Sequence, residues 1–178
     1  GKLSIGFYRS NSHSVIDIQS CPIADPAFNL LLPELREQLQ QSPFAAQISQ
    51  IDMEIGDGEQ VRVVLHLLCK KSTALMEYLK TLQQRYALAL FLQTGPKSSL
   101  SCIAGTPDLS IEVDAPPLQL AYSAGGFSQV NLAQNRRMVS EALRMAAPDK
   151  DWHVLDLYCG MGNFSLPFAR RVTSLVAV

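Results

Sequence analysis

Between positions 156 and 163 the chain reads Asp-Leu-Tyr-Cys-Gly-Met-Gly-Asn, and here residue type and spacing are suited to chemistry. Gly160 and Gly162 allow a tight turn, and a missing Cβ lets a nucleotide-sized ligand come close to the backbone. Asp156 ahead of the turn and Asn163 after it add polar groups. An ordinary strand-to-helix turn uses the same glycines, so the pair alone does not decide the matter. The pattern Asp-x-x-x-Gly-x-Gly-Asn lacks the third glycine of the Gly-x-Gly-x-x-Gly loop that receives a pyrophosphate. A dinucleotide is therefore the poorer ligand, and a nicotinamide-dependent enzyme is disfavoured. A cofactor with one adenosine and no phosphates, such as S-adenosylmethionine, fits better.

Other reactive side chains show less pattern. Cys21, Cys69, Cys102 and Cys159 contain no CxxC pair, which favours reduced thiols over a disulfide framework. Cys69 and Cys102 lie in apolar stretches and read as small buried hydrophobes. Cys21, alone before a proline, reads as structural on its own sequence. His13, His66 and His153 show no base-and-partner arrangement; they suit a solvated turn, a sheet face and a strand end.

The elements that must position the glycine loop follow from periodicity. Trp152–Tyr158 is a strand, nearly all apolar at its core, as in a parallel sheet covered on both faces. A helix over 164–171 and a strand over 172–178 complete a β-loop-α-β unit, with the glycines at the carboxyl end of its first strand, where open α/β sheets bind ligands. Asn131–Met145 is an amphipathic helix with Leu132, Met138, Val139, Ala142 and Leu143 on one side and Arg137 and Arg144 opposite.

Upstream, Leu3, Ile5 and Phe7 alternate as a strand that pairs with Val15–Ile18. A helix covers 26–41, with Pro33 expected to break or kink it. Runs over 47–55 and 60–69 flank the turn Gly56-Asp57-Gly58-Glu59 and form a second hairpin. Ser72 caps a helix to Tyr86, and short strands follow at 87–93, near Ile103, at 111–113 and at 118–122. The order implies an α+β domain with one mixed or antiparallel sheet and two helices. Pro116-Pro117 and Gly125-Gly126 bracket a boundary, giving 1–126 and 127–178 as the two domains. The first carries nine Lys and Arg against twelve Asp and Glu, net −3; the second carries six against four, net +2.

With 178 residues, 47% hydrophobic and 17% charged, the chain can bury a substantial core, and its net charge of −1 argues against a uniformly basic nucleic-acid binder. No apolar run approaches the ~20 residues of a membrane helix; Val61–Cys69 is interrupted by Arg62 and His66. No membrane partner and a cytoplasmic location are expected. The chain has no initiator Met and no leader, and it stops inside a strand, so it is expected to be an internal fragment that self-associates through its exposed strand edge.

Phe127-Ser128-Gln129-Val130-Asn131, then Gln134-Asn135, then Leu155 to Pro167 closely resemble the S-adenosylmethionine-dependent RNA uracil-5-methyltransferases, nearest to the bacterial iron–sulfur enzymes that act on 23S ribosomal RNA. The resemblance implies an α+β central domain that contacts RNA, followed by the first βαβ portion of a Rossmann-like α/β methyltransferase domain. It implies Gln129, Tyr158, Gly160, Gly162 and Asn163 as cofactor-binding residues. Ile16-Asp17-Ile18-Gln19-Ser20-Cys21-Pro22-Ile23 resembles the segment with the last of four cluster cysteines, so Cys21 is implied as one ligand of a [4Fe-4S] cluster in the parent protein, the other three being missing. No cluster is expected on this chain alone.

The resemblance also places the nucleophilic cysteine and the general base beyond Val178, which makes the chain by itself inactive and leaves Cys159 a packing residue of the loop. The scattered Lys2, Arg9, Lys70, Lys71 and Lys97 give little grip on phosphate. Arg136, Arg137 and Arg144 either add to that grip or form a solvated helix face. Transfer RNA in place of ribosomal RNA stays open as the substrate, as does a non-catalytic RNA-binding or assembly module.

Overall fold

Leu31, Leu32, Leu35 and Leu39 recur at helical spacing and are buried along one face of α1 (Pro26–Gln41). Asp25 caps this helix, its Oδ1 accepting from the Ala27 amide at 2.9 Å, and Pro26 sits in the first turn, where no amide donor is needed. The expected break at Pro33 does not occur: α1 runs through it as one element, because leucines on both sides of the proline enter one core and offset the missing hydrogen bond. Arg36 on α1 donates to Asp17 Oδ1 at 2.6 Å and to the carbonyls of Ile18 at 2.6 Å and Ile5 at 3.2 Å. These bonds fasten an antiparallel hairpin of β1 (Gly6–Tyr8) and β2 (Val15–Asp17).

The computed structural model describes residues 3–58, 60–69, 72–86 and 88–178. Lys2, Glu59, Lys70, Lys71 and Ala87, which enter the expectations above, lie outside them. The chain divides into two compact units, one of Gly1–Ile55 and Val61–Gly105, the other of Gly56–Gln60 and Thr106–Val178.

In the first unit β3 (Ile48–Ile55), β4 (Val61–Leu67), β5 (Ala89–Gln93) and β6 (Ser101–Ala104) form a sheet in the order β3-β4-β5-β6. β4 and β5 are parallel and the outer pairs antiparallel. The crossover between the parallel strands is α2 (Thr73–Tyr86), opened by Ser72, whose Oγ accepts from the Leu75 amide at 3.2 Å. Alternate residues Val63, Leu65, Leu67, Leu90 and Leu92 meet the leucines of α1 and α2 in one core.

The expectation of a single sheet upstream of Gly126 is corrected. β7 (Asp108–Val113) and β8 (Leu118–Ser123) pair only with each other among the described residues and belong to the second unit, with a separate core of Leu109, Ile111, Val113, Leu120 and Tyr122. The compact units thus part between Gly105 and Thr106, ahead of the Gly126 boundary read from the sequence.

The second unit continues with α3 (Leu132–Ala146), whose N-cap Asn131 accepts from the Gln134 amide at 2.9 Å, then β9 (His153–Asp156), α4 (Ser165–Ala169) and β10 (Ser174–Ala177). β9 and β10 are parallel, pairing His153 with Ser174 through to Asp156 with Ala177, so the β-loop-α-β unit forms as expected. Its elements are shorter than their apolar runs, because the backbone leaves β9 after Asp156 into a turn that carries Tyr158 at φ 61°. No helix among the described residues is long and apolar enough to cross a membrane.

Candidate cofactor site

The loop begins where β9 ends. Val178 N–H donates to the Asp156 carbonyl at 2.9 Å and Cys159 N–H to the Val178 carbonyl at 3.0 Å, so the parallel ladder holds the start of the loop. Three residues then take the left-handed backbone conformation: Tyr158 at φ 61°, Gly160 at 55° and Gly162 at 88°. For a tyrosine this is uncommon and strained, yet its side chain is 99% exposed, so no packing of the ring explains the conformation. Gly162 N–H closes the turn on the Cys159 carbonyl at 2.9 Å.

The two glycines have different surroundings. A Cβ at Gly162 would lie 3.3 Å from Leu166 Cγ, against the first turn of α4, whereas a Cβ at Gly160 would meet nothing within 4 Å. Gly162 therefore lets loop and helix approach each other, and Gly160 leaves the backbone bare to the outside, as close contact with a ligand requires.

Two buried polar side chains stand behind the loop. Asn135 of α3, 3% exposed, exchanges a reciprocal pair of hydrogen bonds with Asn163: its Nδ2 donates to Asn163 Oδ1 at 2.8 Å and its Oδ1 accepts from Asn163 Nδ2 at 2.9 Å. Ser165, 4% exposed, donates from Oγ to Asp156 Oδ2 at 2.6 Å. The polar residues at both ends of the loop are thus held in place. Under β9, Val154, Leu155, Asp156, Phe164, Ser165, Phe168 and Leu175 line a recess of about 200 Å³. It is smaller than the ~300–1,000 Å³ of small-molecule sites, and its Asp156 and Ser165 are bonded to each other.

The structure brings Tyr158, Gly160, Gly162 and Asn163 together on one loop. Gln129 is exposed on the approach to α3, and the hydrogen bonds that join α3 to the loop run through Asn135. Cys21 belongs to the first unit, with Asn29 of α1 gripping its backbone on both sides: Cys21 N–H donates to Asn29 Oδ1 at 2.8 Å, and Asn29 Nδ2 donates to the Cys21 carbonyl at 3.0 Å. No group of three or more His, Cys, Asp or Glu side chains suited to a metal forms among the described residues. A [4Fe-4S] cluster needs four protein ligands; the described residues do not make such a site.

Sequence reasoning missed several pairs. Asn135 was visible only as part of a motif, without its buried role. His66 has a carboxylate partner after all, Asp52, at 2.7 Å across the β3–β4 hairpin; their separation in sequence hides a pairing set by strand register. His153 Nδ1 lies 2.6 Å from Ser174 Oγ, the strand-end role expected. Arg136 donates to both oxygens of Asp57, at 3.0 and 3.2 Å, and Arg144 to Glu141, so two of the three arginines on α3 are matched by carboxylates.

A glycine turn at the carboxyl end of the first strand of a parallel βαβ unit is the place where open α/β sheets bind ligands. The chain belongs to the tRNA (uracil-5-)-methyltransferase family, which it matches over residues 3–178. It is 33% identical over 177 residues to the 23S rRNA (uracil(1939)-C(5))-methyltransferase RlmD of Pectobacterium atrosepticum, covering 99% of this chain and 38% of that protein. To RlmD of Mannheimia succiniciproducens it is 35% identical over 181 residues, covering 99% and 39%. Its fold is similar to that of the Pyrococcus abyssi tRNA (uracil-54, C5)-methyltransferase, solved in complex with S-adenosyl-L-homocysteine, with a TM-score of 0.66 and 17% identity over 92% of this chain and 43% of that one. The chain thus spans about two fifths of the length of the curated relatives it matches.

Proposed function

We propose that this chain is the cofactor-binding part, with an adjoining RNA-contacting part, of an enzyme that transfers a methyl group from S-adenosylmethionine to carbon 5 of a uridine in 23S ribosomal RNA. The observation that carries this reading is the loop from Asp156 to Asn163, open at Gly160 and strained at Tyr158, within a chain matched to the uracil-5-methyltransferase family along nearly its whole length. Likeness to RlmD proteins at 33% and 35% identity supports ribosomal over transfer RNA. The reading carries with it a cytoplasmic location, where ribosomal RNA is met.

When bound, S-adenosylmethionine supplies an electrophilic methyl group on sulfur. The chain's own residues bind and orient. Gly160 lets the ligand lie against the backbone, Tyr158 offers its ring, Asn163 and Gln129 offer amides to polar atoms, and Gly162 keeps the loop against α4. Residues 127–178 form the start of a Rossmann-like methyltransferase domain in this reading, and the central region before them contacts RNA. In this reading Cys159 packs within the cofactor loop and the nucleophile is another cysteine; it is half-buried, its Sγ directed to the Gly160 carbonyl at 3.7 Å. Cys21 would supply one thiolate of an iron–sulfur cluster, which requires ligands beyond the described residues.

The test is transfer of a labelled methyl group from S-adenosylmethionine to 23S and transfer RNA transcripts by the full-length protein that carries this chain, with the product nucleoside identified. 5-Methyluridine in 23S RNA is the expected product; label in transfer RNA alone, or none in either, overturns the reading.

A further inference from the structure

Among the described residues the buried polar side chains are Arg62, Asn135 and Ser165, and the two in the second unit both point to the ends of the glycine loop. Asn135 is the more telling. It sits on the buried face of α3 with Val139 and Leu143, where an apolar side chain would pack without needing partners. A buried carboxamide is tolerated only when its hydrogen bonds are made, and here Asn163 makes them.

The reciprocal pair determines what Asn163 can offer. Each amide uses one N–H and one carbonyl lone pair on the other, so Asn163 keeps one N–H and one lone pair, directed away from α3. A single hydrogen bond would let the amide swing; two parallel bonds to a buried partner fix its plane and hold it against α3. Asn163 follows Gly162, at φ 88°, in a loop that Gly160 leaves open, so nothing local in the backbone does this work.

We propose that Asn135 is a positioning residue: it acts through Asn163, presetting that amide for the polar end of the cofactor, so that binding does not have to order it. This rests on the reading that the loop binds S-adenosylmethionine.

The experiment uses the full-length protein that carries this chain and S-adenosylmethionine itself as the probe. Asn135→Leu keeps the volume and removes the pair. The expected result is a rise of roughly tenfold in the cofactor dissociation constant by calorimetry, matched in KM, with kcat at saturating cofactor within about twofold. Asn135→Leu combined with Asn163→Ala should bind no more weakly than Asn163→Ala alone, since the first residue acts through the second. An unchanged dissociation constant in a folded Asn135→Leu protein, or fully additive losses in the double variant, overturns the proposal.

Should that variant not fold, hydrogen exchange of the Asn163 side-chain amide in the wild-type protein decides. Protection before cofactor is added supports presetting, and exchange at the rate of a free amide refutes it. Wild-type protein that binds no S-adenosylmethionine brings down the functional reading and this inference with it, whereas binding that is indifferent to Asn135 brings down the inference alone.

Discussion

Arg171 grips Asp114 through both carboxylate oxygens, each at 2.6 Å, and joins the end of β7 to the segment after α4. The Asp114 side chain is 2% exposed, and Arg170 adds a third bond at 3.3 Å. Asp114 also holds a left-handed backbone at φ 77°, a conformation that aspartate and asparagine tolerate better than most residues. The glycine loop and its supporting elements thus lie within a unit closed by this pair.

Asp114→Asn keeps shape and backbone tolerance and removes the charge. Breaking one side of a largely buried pair is costly, although Arg171 at 31% exposure keeps contact with water, so a loss of about 1–3 kcal/mol is expected at neutral pH. Urea unfolding of the variant against wild type measures it.

The same pair makes stability depend on pH. The Arg171 hydrogen bonds hold the Asp114 carboxyl below the usual carboxylate range, with the nearby Arg170 charge acting the same way. The folded pKa lies below the unfolded one, so the contribution is complete above the unfolded value and is lost as pH falls through the folded one. The stability gap between wild type and Asp114→Asn should therefore be constant from pH 8 to about 5 and close as acid protonates Asp114. A gap that stays constant down to pH 2 contradicts the assignment.

Alanine at the two loop glycines separates ligand approach from backbone strain. Both residues have positive φ, so each substitution costs roughly 1–2 kcal/mol of folding stability. At Gly162 the new methyl also presses on Leu166, 3.3 Å away; at Gly160 it enters open space. Gly162→Ala should show the larger fall in melting temperature, and Gly160→Ala the larger rise in cofactor KM relative to that fall. Equal ratios for the two variants would remove the special role of Gly160.

Local chemistry explains what the sequence made legible. Ser72 announces the helix it caps because capping involves only neighbours. The βαβ unit was readable for the same reason: its strands, glycines and short helix are contiguous. Pairing across distance was not. Asn135 and Asn163 are 28 positions apart and Asp114 and Arg171 are 57 apart, and no periodicity shows which of many polar side chains the fold will bury together. β7 and β8 alternate as strands should, yet which sheet they join depends on register with partners far along the chain.

The 178-residue chain alone should bind S-adenosylmethionine only weakly. Ligand sites bury roughly 70–90% of a small ligand, and tight binding needs walls on several sides. Here Tyr158 is 99% exposed, the space over Gly160 is open, and Gln129 stands exposed. On the proposed reading the loop provides one wall, and the ~200 Å³ recess under β9 is smaller than such sites are. Calorimetry on the chain by itself should give a dissociation constant in the millimolar range or no measurable heat, which is about 4 kcal/mol of binding or less. A micromolar constant would mean that these residues suffice for the pocket, and would sink the view that the loop is one wall of a larger site.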